Sequence, residues 1–200
     1  MVTDEVYEYM VYEPHVHTVM ASLPGMAERT ITCNSLSKTF SITGWRLGYM
    51  IGPEPVLEAA KKVHDFLTVG APSPLQEAAT VGLTFDEAYY TAFNRMYREK
   101  RDCFLEGLDR IGLKHNVPQG TYFVMVDIGE FLALPRFQGR SDLEFWEWMI
   151  RAVGVAAVPG SSFFREPVNH LIRLHFAREQ ATLDEVIERL SHLRELAQQA

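Results

Sequence analysis

Apolar and polar positions change period several times along the chain, and each change predicts an element. Residues 2–12 are short, aromatic and β-branched, and read as a strand running into a loop. β-Branched and polar residues alternate over 30–34, a second strand, and 46–51 reads as a third, closed by Gly52-Pro53. Pro55 opens a helix over 56–66 with Val56, Leu57, Ala60 and Val63 on one face. Gly70, Pro72 and Pro74 break that pattern before a further helix near Leu75. A long helix over 86–111 carries Phe93, Tyr97, Phe104, Leu108 and Ile111 near one stripe. Beyond Gly112 strands and helices alternate. A strand over 121–128 is entered through Pro118-Gln119-Gly120, and Ser141-Asp142-Leu143-Glu144 forms a capping box before Phe145, Trp146, Met149 and Ile150. The apolar run 153–158 ends in the turn Pro159-Gly160-Ser161-Ser162, and 170–177 is another strand. A second capping box, Thr182-Leu183-Asp184-Glu185, starts a helix with Leu183, Val186, Ile187, Leu190 and Leu193 on one face. The expected class is α/β: a mostly parallel sheet in the first portion, then a mixed sheet-and-helix layer.

Composition narrows the function classes. Two hundred residues allow one large or two small domains, and 47% hydrophobic with 22% charged residues suits a globular chain. A net charge of -7 disfavours nucleic acid as a partner. Acids interleave the bases Arg95, Arg98, Lys100 and Arg101, so that run reads as a solvated helix face. No window reaches the roughly 18 uninterrupted apolar residues of a membrane span. The opening residues carry acids where a signal peptide carries bases. Cys33 and Cys103 are isolated, which fits reduced cysteines in a cytoplasmic setting. His15 and His17 lack a third ligand nearby and read as loop histidines, so no metal site is expected.

The chemistry concentrates in residues 34–52. Lys38 stands there among Ser35, Ser37, Thr39, Ser41, Thr43, glycines and aromatics, with Arg46 eight residues on and no acid in the stretch. Burial and a like charge both disfavour a protonated amine. A neutral lysine is a nucleophile toward an aldehyde, and an arginine fork with serine hydroxyls suits phosphate. The combination points to a phosphate-bearing aldehyde, pyridoxal phosphate.

The run Ser35 to Gly48 resembles the cofactor-lysine signature of the class I/II aminotransferases, pyridoxal-phosphate fold type I. The wider stretch from Leu23-Pro24-Gly25 through Gly52-Pro53 is similar to the branch containing kynurenine and glutamine transaminases. The resemblance implies that Lys38 forms the Schiff base with pyridoxal 5'-phosphate and that Ser35 and Arg46 bind its phosphate. It further implies that Asp4 pairs with the pyridine nitrogen and Tyr7 donates to the ring hydroxyl. Arg173 lies in the apolar strand Leu171-Ile172-Arg173-Leu174, and a buried guanidinium needs an anion. A nearby acid or a substrate carboxylate could supply it; the resemblance favours the α-carboxylate. The implied reaction is transamination between an amino acid and a 2-oxo acid in a homodimer. The same fold type also hosts decarboxylases and lyases, non-catalytic effector domains, and fragments that complement a separate first half.

In these terms residues 1–90 correspond to the later part of the large cofactor domain, 86–111 to an interdomain helix and 112–200 to the small domain. Family members carry a long segment before the position of Asp4, with a glycine-containing phosphate loop, a ring-stacking aromatic and most of the central sheet. None of these can be placed on this chain. The expectation is a partial aspartate aminotransferase-like fold, weakly active or inactive on its own.

Overall fold

A computed structural model describes residues 1–199. In chain order the elements are β1 (Val2–Asp4), β2 (Ile31–Ser35), α1 (Leu36–Thr39), β3 (Gly48–Ile51), α2 (Glu54–Thr68), α3 (Ser73–Leu83) and α4 (Glu87–Arg110). They continue with β4 (Phe123–Asp127), α5 (Gly129–Leu132), α6 (Asp142–Val153), β5 (Val158–Pro159), β6 (Leu171–His175), α7 (Gln180–Ser191) and α8 (Leu193–Gln198). The chain divides into two compact units, Met1–Arg95 and Met96–Ala200, with the division inside α4.

In the first unit the sheet order is β1-β2-β3. β1 runs parallel to β2, with Asp4 opposite Cys33, and β3 runs antiparallel to β2, with Ser35 opposite Gly48. The mostly parallel sheet expected here is therefore one parallel and one antiparallel ladder. Between β2 and β3 the chain makes only the four-residue α1 and a 3-10 turn, Thr43–Trp45, which returns it alongside β2 instead of carrying it across the sheet. Gly48 sits where any side chain would collide: a Cβ would lie 2.8 Å from the Asn34 carbonyl oxygen.

Met10, Tyr12, Leu47, Ala79 and Phe93 are the buried apolar side chains of this unit. Phe40 meets Phe85 edge-on at 5.8 Å, and the Tyr89 hydroxyl donates to the Thr39 carbonyl at 2.6 Å. Glu5, 5% exposed, accepts from the Thr3 hydroxyl at 2.9 Å and the Met20 amide at 3.4 Å, and its other oxygen is 2.9 Å from His17 Nε2. That carboxylate clasps the loop between β1 and β2. Desolvation pushes its pKa up, but the bonds from His17, Thr3 and Met20 outweigh that and hold it below the usual carboxylate value. No residue of α2 is buried. Val56 and Val63, on the apolar face read from the sequence, are exposed. The helical period identifies the apolar side of α2, but not what lies against it.

In the second unit the order is β4-β6-β5, antiparallel throughout. Val124, Val126, Ile172 and Leu174 fill its buried face, while Phe123, Met125, Arg173 and His175 alternate onto the other. The capping box before α6 forms: Ser141 Oγ accepts from the Glu144 amide at 3.3 Å, and the Ser141 amide donates to Glu144 Oε2 at 2.9 Å. The second box does not form. α7 begins at Gln180, and the Thr182 amide bonds to the Glu179 carbonyl, so Thr182 lies in the first turn and cannot cap it. Leu183, Ile187, Leu190 and Leu193 are buried as their spacing implies. Among the described residues no helix is long and apolar enough to cross a membrane, and no group of three or more His, Cys, Asp or Glu could hold a metal ion.

Candidate active site

Three backbone features converge on Lys38. The parallel β1–β2 register sets Asp4 beside Cys33. Ser35 ends β2 and caps α1, its hydroxyl oxygen accepting from the Ser37 amide at 3.1 Å. Arg46 adopts a left-handed conformation, φ +57°, just before Leu47 and β3. Its backbone turns the chain back toward Ser35, and its guanidinium donates to the Thr43 carbonyl at 3.0 Å. A non-glycine residue held there stores strain of about 1–3 kcal/mol, a feature that gathers at binding sites.

Asp4, Ser35, Lys38 and Arg46 line one cavity of about 360 Å³. Asn34, Ser37 and Thr43 complete much of its polar wall, with Cys33 and Val6 beside them, and Tyr7 is not in that lining. The stretch around Lys38 contains no acid, but β1 brings the Asp4 carboxylate into its cavity, and Lys38 is half-buried instead of enclosed. The Ser35 hydroxyl lies 2.7 Å from Ser37 Oγ and 2.9 Å from the Leu47 carbonyl. Ser37 is itself buried, and the Thr43 hydroxyl donates to its carbonyl at 3.3 Å. Asn34 is oriented by its bond to Glu8 Oε1 at 2.7 Å. A second, more apolar cavity of about 810 Å³ shares Cys33, Asn34 and Arg46 and runs along β3 and α2 past Tyr49, Lys61 and His64.

Sequence reasoning did not single out Ser37, Asn34 or Thr43. All three lie in the lysine motif, Asn34 and Ser37 directly beside Ser35 and Lys38 and Thr43 in the turn before Arg46, so the motif itself carried the signal.

Arg173 belongs to the second unit. Its Cζ lies 3.9 Å from the ring centroids of both Phe123 and Phe163. His175 shares its sheet face, and burial, then the charges of Arg178 and Arg173, lower the imidazole pKa and favour the neutral ring.

The donor set fits pyridoxal phosphate by its chemistry: an amine for the carbonyl, a guanidinium and a hydroxyl for the phosphate, and a carboxylate for a ring nitrogen. The chain belongs to the family described as aminotransferase class I and II, whose pattern matches residues 1–190. It is 36% identical over 205 residues to kynurenine--oxoglutarate transaminase 1 of Homo sapiens, covering 94% of this chain and 49% of that protein. It is likewise 36% identical over 194 residues to methionine aminotransferase of Escherichia coli, covering 96% and 49%. The structure of N-succinyldiaminopimelate aminotransferase from Mycobacterium tuberculosis superposes with a TM-score of 0.85 at 38% identity, over 96% of this chain and 49% of that one. The chain thus spans about half the length of the relatives it matches, and it carries an aspartate aminotransferase-like α/β fold over that span.

Proposed function

We propose that this chain carries the cofactor lysine and phosphate clasp of a pyridoxal-phosphate-dependent aminotransferase acting between an amino acid and a 2-oxo acid. The observation that carries the reading is the meeting of Asp4, Ser35, Lys38 and Arg46 around one cavity. When bound, pyridoxal phosphate supplies an electron sink that eases loss of a substrate α-proton. The chain's own groups do the rest. Lys38 Nζ would hold the cofactor through its carbonyl carbon, the oxygen leaving as water, and with substrate bound would carry a proton from the substrate α-carbon as general base, then acid. Arg46 and the Ser35 hydroxyl hold the phosphate. Asp4 keeps the pyridine nitrogen protonated, Tyr7 donates to the ring hydroxyl, and Arg173 receives the substrate α-carboxylate.

In this reading residues 1–90 form the large-domain portion, 86–111 bridge the domains and 112–200 form the small domain. A homodimer is the expected assembly. The exposed side chains of Phe66, Leu67 and Val69 around the end of α2 support burial against another chain. The isolated thiols Cys33 and Cys103 support a cytoplasmic setting.

Incubation of the chain with pyridoxal phosphate, borohydride reduction and peptide mapping test the assignment. The label is expected on Lys38 and absent from Lys38→Ala. Arg46→Ala should keep the label site while weakening cofactor affinity by about tenfold or more, the value of a charge-assisted hydrogen-bond pair. Label on another lysine, or equal labelling of the Lys38→Ala chain, refutes the assignment. Keto acid formed without carbon dioxide separates transfer from decarboxylation.

A further inference from the structure

We propose that Phe123 and Phe163 form an aromatic slot that fixes the Arg173 guanidinium as a carboxylate clamp, and that the buried Asp142 carboxylate and Gly160 set the position of that slot. The inference rests on the reading of Arg173 as the carboxylate ligand and adds the residues that orient it.

Both rings stand at 3.9 Å from Arg173 Cζ, the distance at which a ring covers a face of a planar cation. All guanidinium N–H donors lie in the plane, so rings stacked on its faces would direct its hydrogen bonding to the edge. The rings displace weakly held water and cut the rotamer freedom of a long side chain. A carboxylate that binds in-plane with two parallel bonds then meets a cation already oriented.

The two rings arrive by different routes. Phe123 comes from the sheet: Met125 pairs with Arg173 and Phe123 with His175, so Phe123 is the diagonal neighbour of Arg173 on the same face. Phe163 comes from the 3-10 turn Gly160–Phe163 that follows β5. That turn is pinned on two sides. Asp142, 1% exposed, accepts from the Ser161 amide at 2.8 Å through Oδ2 and from the Ser161 hydroxyl at 3.0 Å through Oδ1. On the other side, a Cβ on Gly160 would lie 2.5 Å from the Leu171 carbonyl, so the turn's backbone rests directly on β6 two residues from Arg173. Asp142 Oδ1 also accepts from the Leu143 amide at 3.0 Å, so this buried carboxylate is satisfied by bonds to the start of its own helix and to this turn, and it ties the two together. Phe163 itself remains 43% exposed, so core packing does not account for the ring.

Titration of the full chain with pyruvate, followed on the arginine side-chain 1H–15N spectrum, tests the slot. The Arg173 signal is assigned by its loss in Arg173→Lys. Expected results are a ring-current-shifted Arg173 Nε–H signal that moves on adding pyruvate, and loss of pyruvate binding in Arg173→Lys. Phe163→Leu, which keeps apolar bulk, should return the signal toward an ordinary position and weaken pyruvate by about threefold to tenfold. Phe163→Tyr should keep both, and Asp142→Asn should shift both in the direction of Phe163→Leu. An unshifted Arg173 signal in the parent chain, or a Phe163→Leu chain with unchanged signal and affinity, overturns the slot and leaves the clamp standing. Pyruvate binding that survives Arg173→Lys, or is absent from the parent chain, overturns the clamp, while the ring-current shift still judges the slot.

Discussion

The two units place their chemistry on very different foundations. Among the described residues the first unit buries five apolar side chains and the second twenty-one, although the two are of similar length. Exposed large apolar side chains run the other way, seventeen in the first and six in the second. Buried apolar area is the main favourable term in folding. The second unit therefore has a core that suffices for itself, centred on Phe131, Phe137 and Phe145. The first unit, which carries Lys38, has a thin core, and much of its apolar surface lies on β3, α2 and α3. Its stability depends more on polar clasps such as Glu5 and on whatever covers that surface.

Core truncation should expose this asymmetry most strongly. Phe145 is wholly buried, with Phe137 at 5.2 Å and Trp148 at 5.4 Å. Phe145→Ala is expected to cost about 3–5 kcal/mol in denaturant unfolding. Phe66 is 92% exposed, and Phe66→Ala should change the isolated chain by no more than about 0.5 kcal/mol. The same Phe66→Ala should reduce self-association in sedimentation velocity if α2 packs against a second copy. A large stability loss from Phe66→Ala would show that the helix is already covered and would erase the contrast.

The same asymmetry decided how much could be read from residue order. The α6 capping box and the extent of α4 were legible because their determinants lie within a few turns: Ser141 and Glu144 are three apart, and the apolar stripe repeats along one helix. Lys38, Ser35 and Arg46 were legible for a similar reason, being grouped within twelve positions. The meeting of Asp4 with them needed the β1–β2 register, a long-range pairing that only the resemblance anticipated. What failed were judgements about surroundings. The α2 stripe showed which face of the helix is apolar but not what lies against it, because amphipathicity does not name a partner. Thr182 looked like a cap but lies inside α7. Phe163 carried no signal, since its ring reaches Arg173 only once the Asp142–Ser161 bonds have set the turn.

A mid-sized effect comes from the polar clasp of the first unit. Glu5→Gln keeps the shape but removes the charge that receives Thr3, His17 and the Met20 amide, and should cost about 2 kcal/mol. The pH dependence has a definite sign. The folded pKa is lowered, so the clasp's contribution is complete above the unfolded value, about 4.3. It is lost as pH falls through the lower folded value. The parent chain should therefore lose stability in acid more steeply than Glu5→Gln, and equal acid slopes would remove Glu5 from the account.

The smallest effect tests backbone strain at the end of α2. Val69 sits at φ +63°, ψ -49°, and the Gly70 amide donates to the Thr68 carbonyl at 2.7 Å, closing a tight three-residue turn of the rarer hand. A β-branched residue is poorly suited to that region, and the side chain, 83% exposed, gains little from packing in return. Glycine adopts positive φ freely but loses more chain entropy on folding. Relief of about 1–3 kcal/mol of strain set against about 0.4–1 kcal/mol of added unfolded-state entropy predicts that Val69→Gly stabilises the isolated chain by about 1 kcal/mol, read as a shift of the urea midpoint at constant slope. If Val69 instead packs against a second copy, the same substitution should weaken self-association while stabilising the monomer. A strained, exposed valine is then retained for its contact, not for the fold. Destabilisation of the monomer would place Val69 among the residues the first unit needs for its own folding, and the contrast between the two units would narrow at its most exposed point.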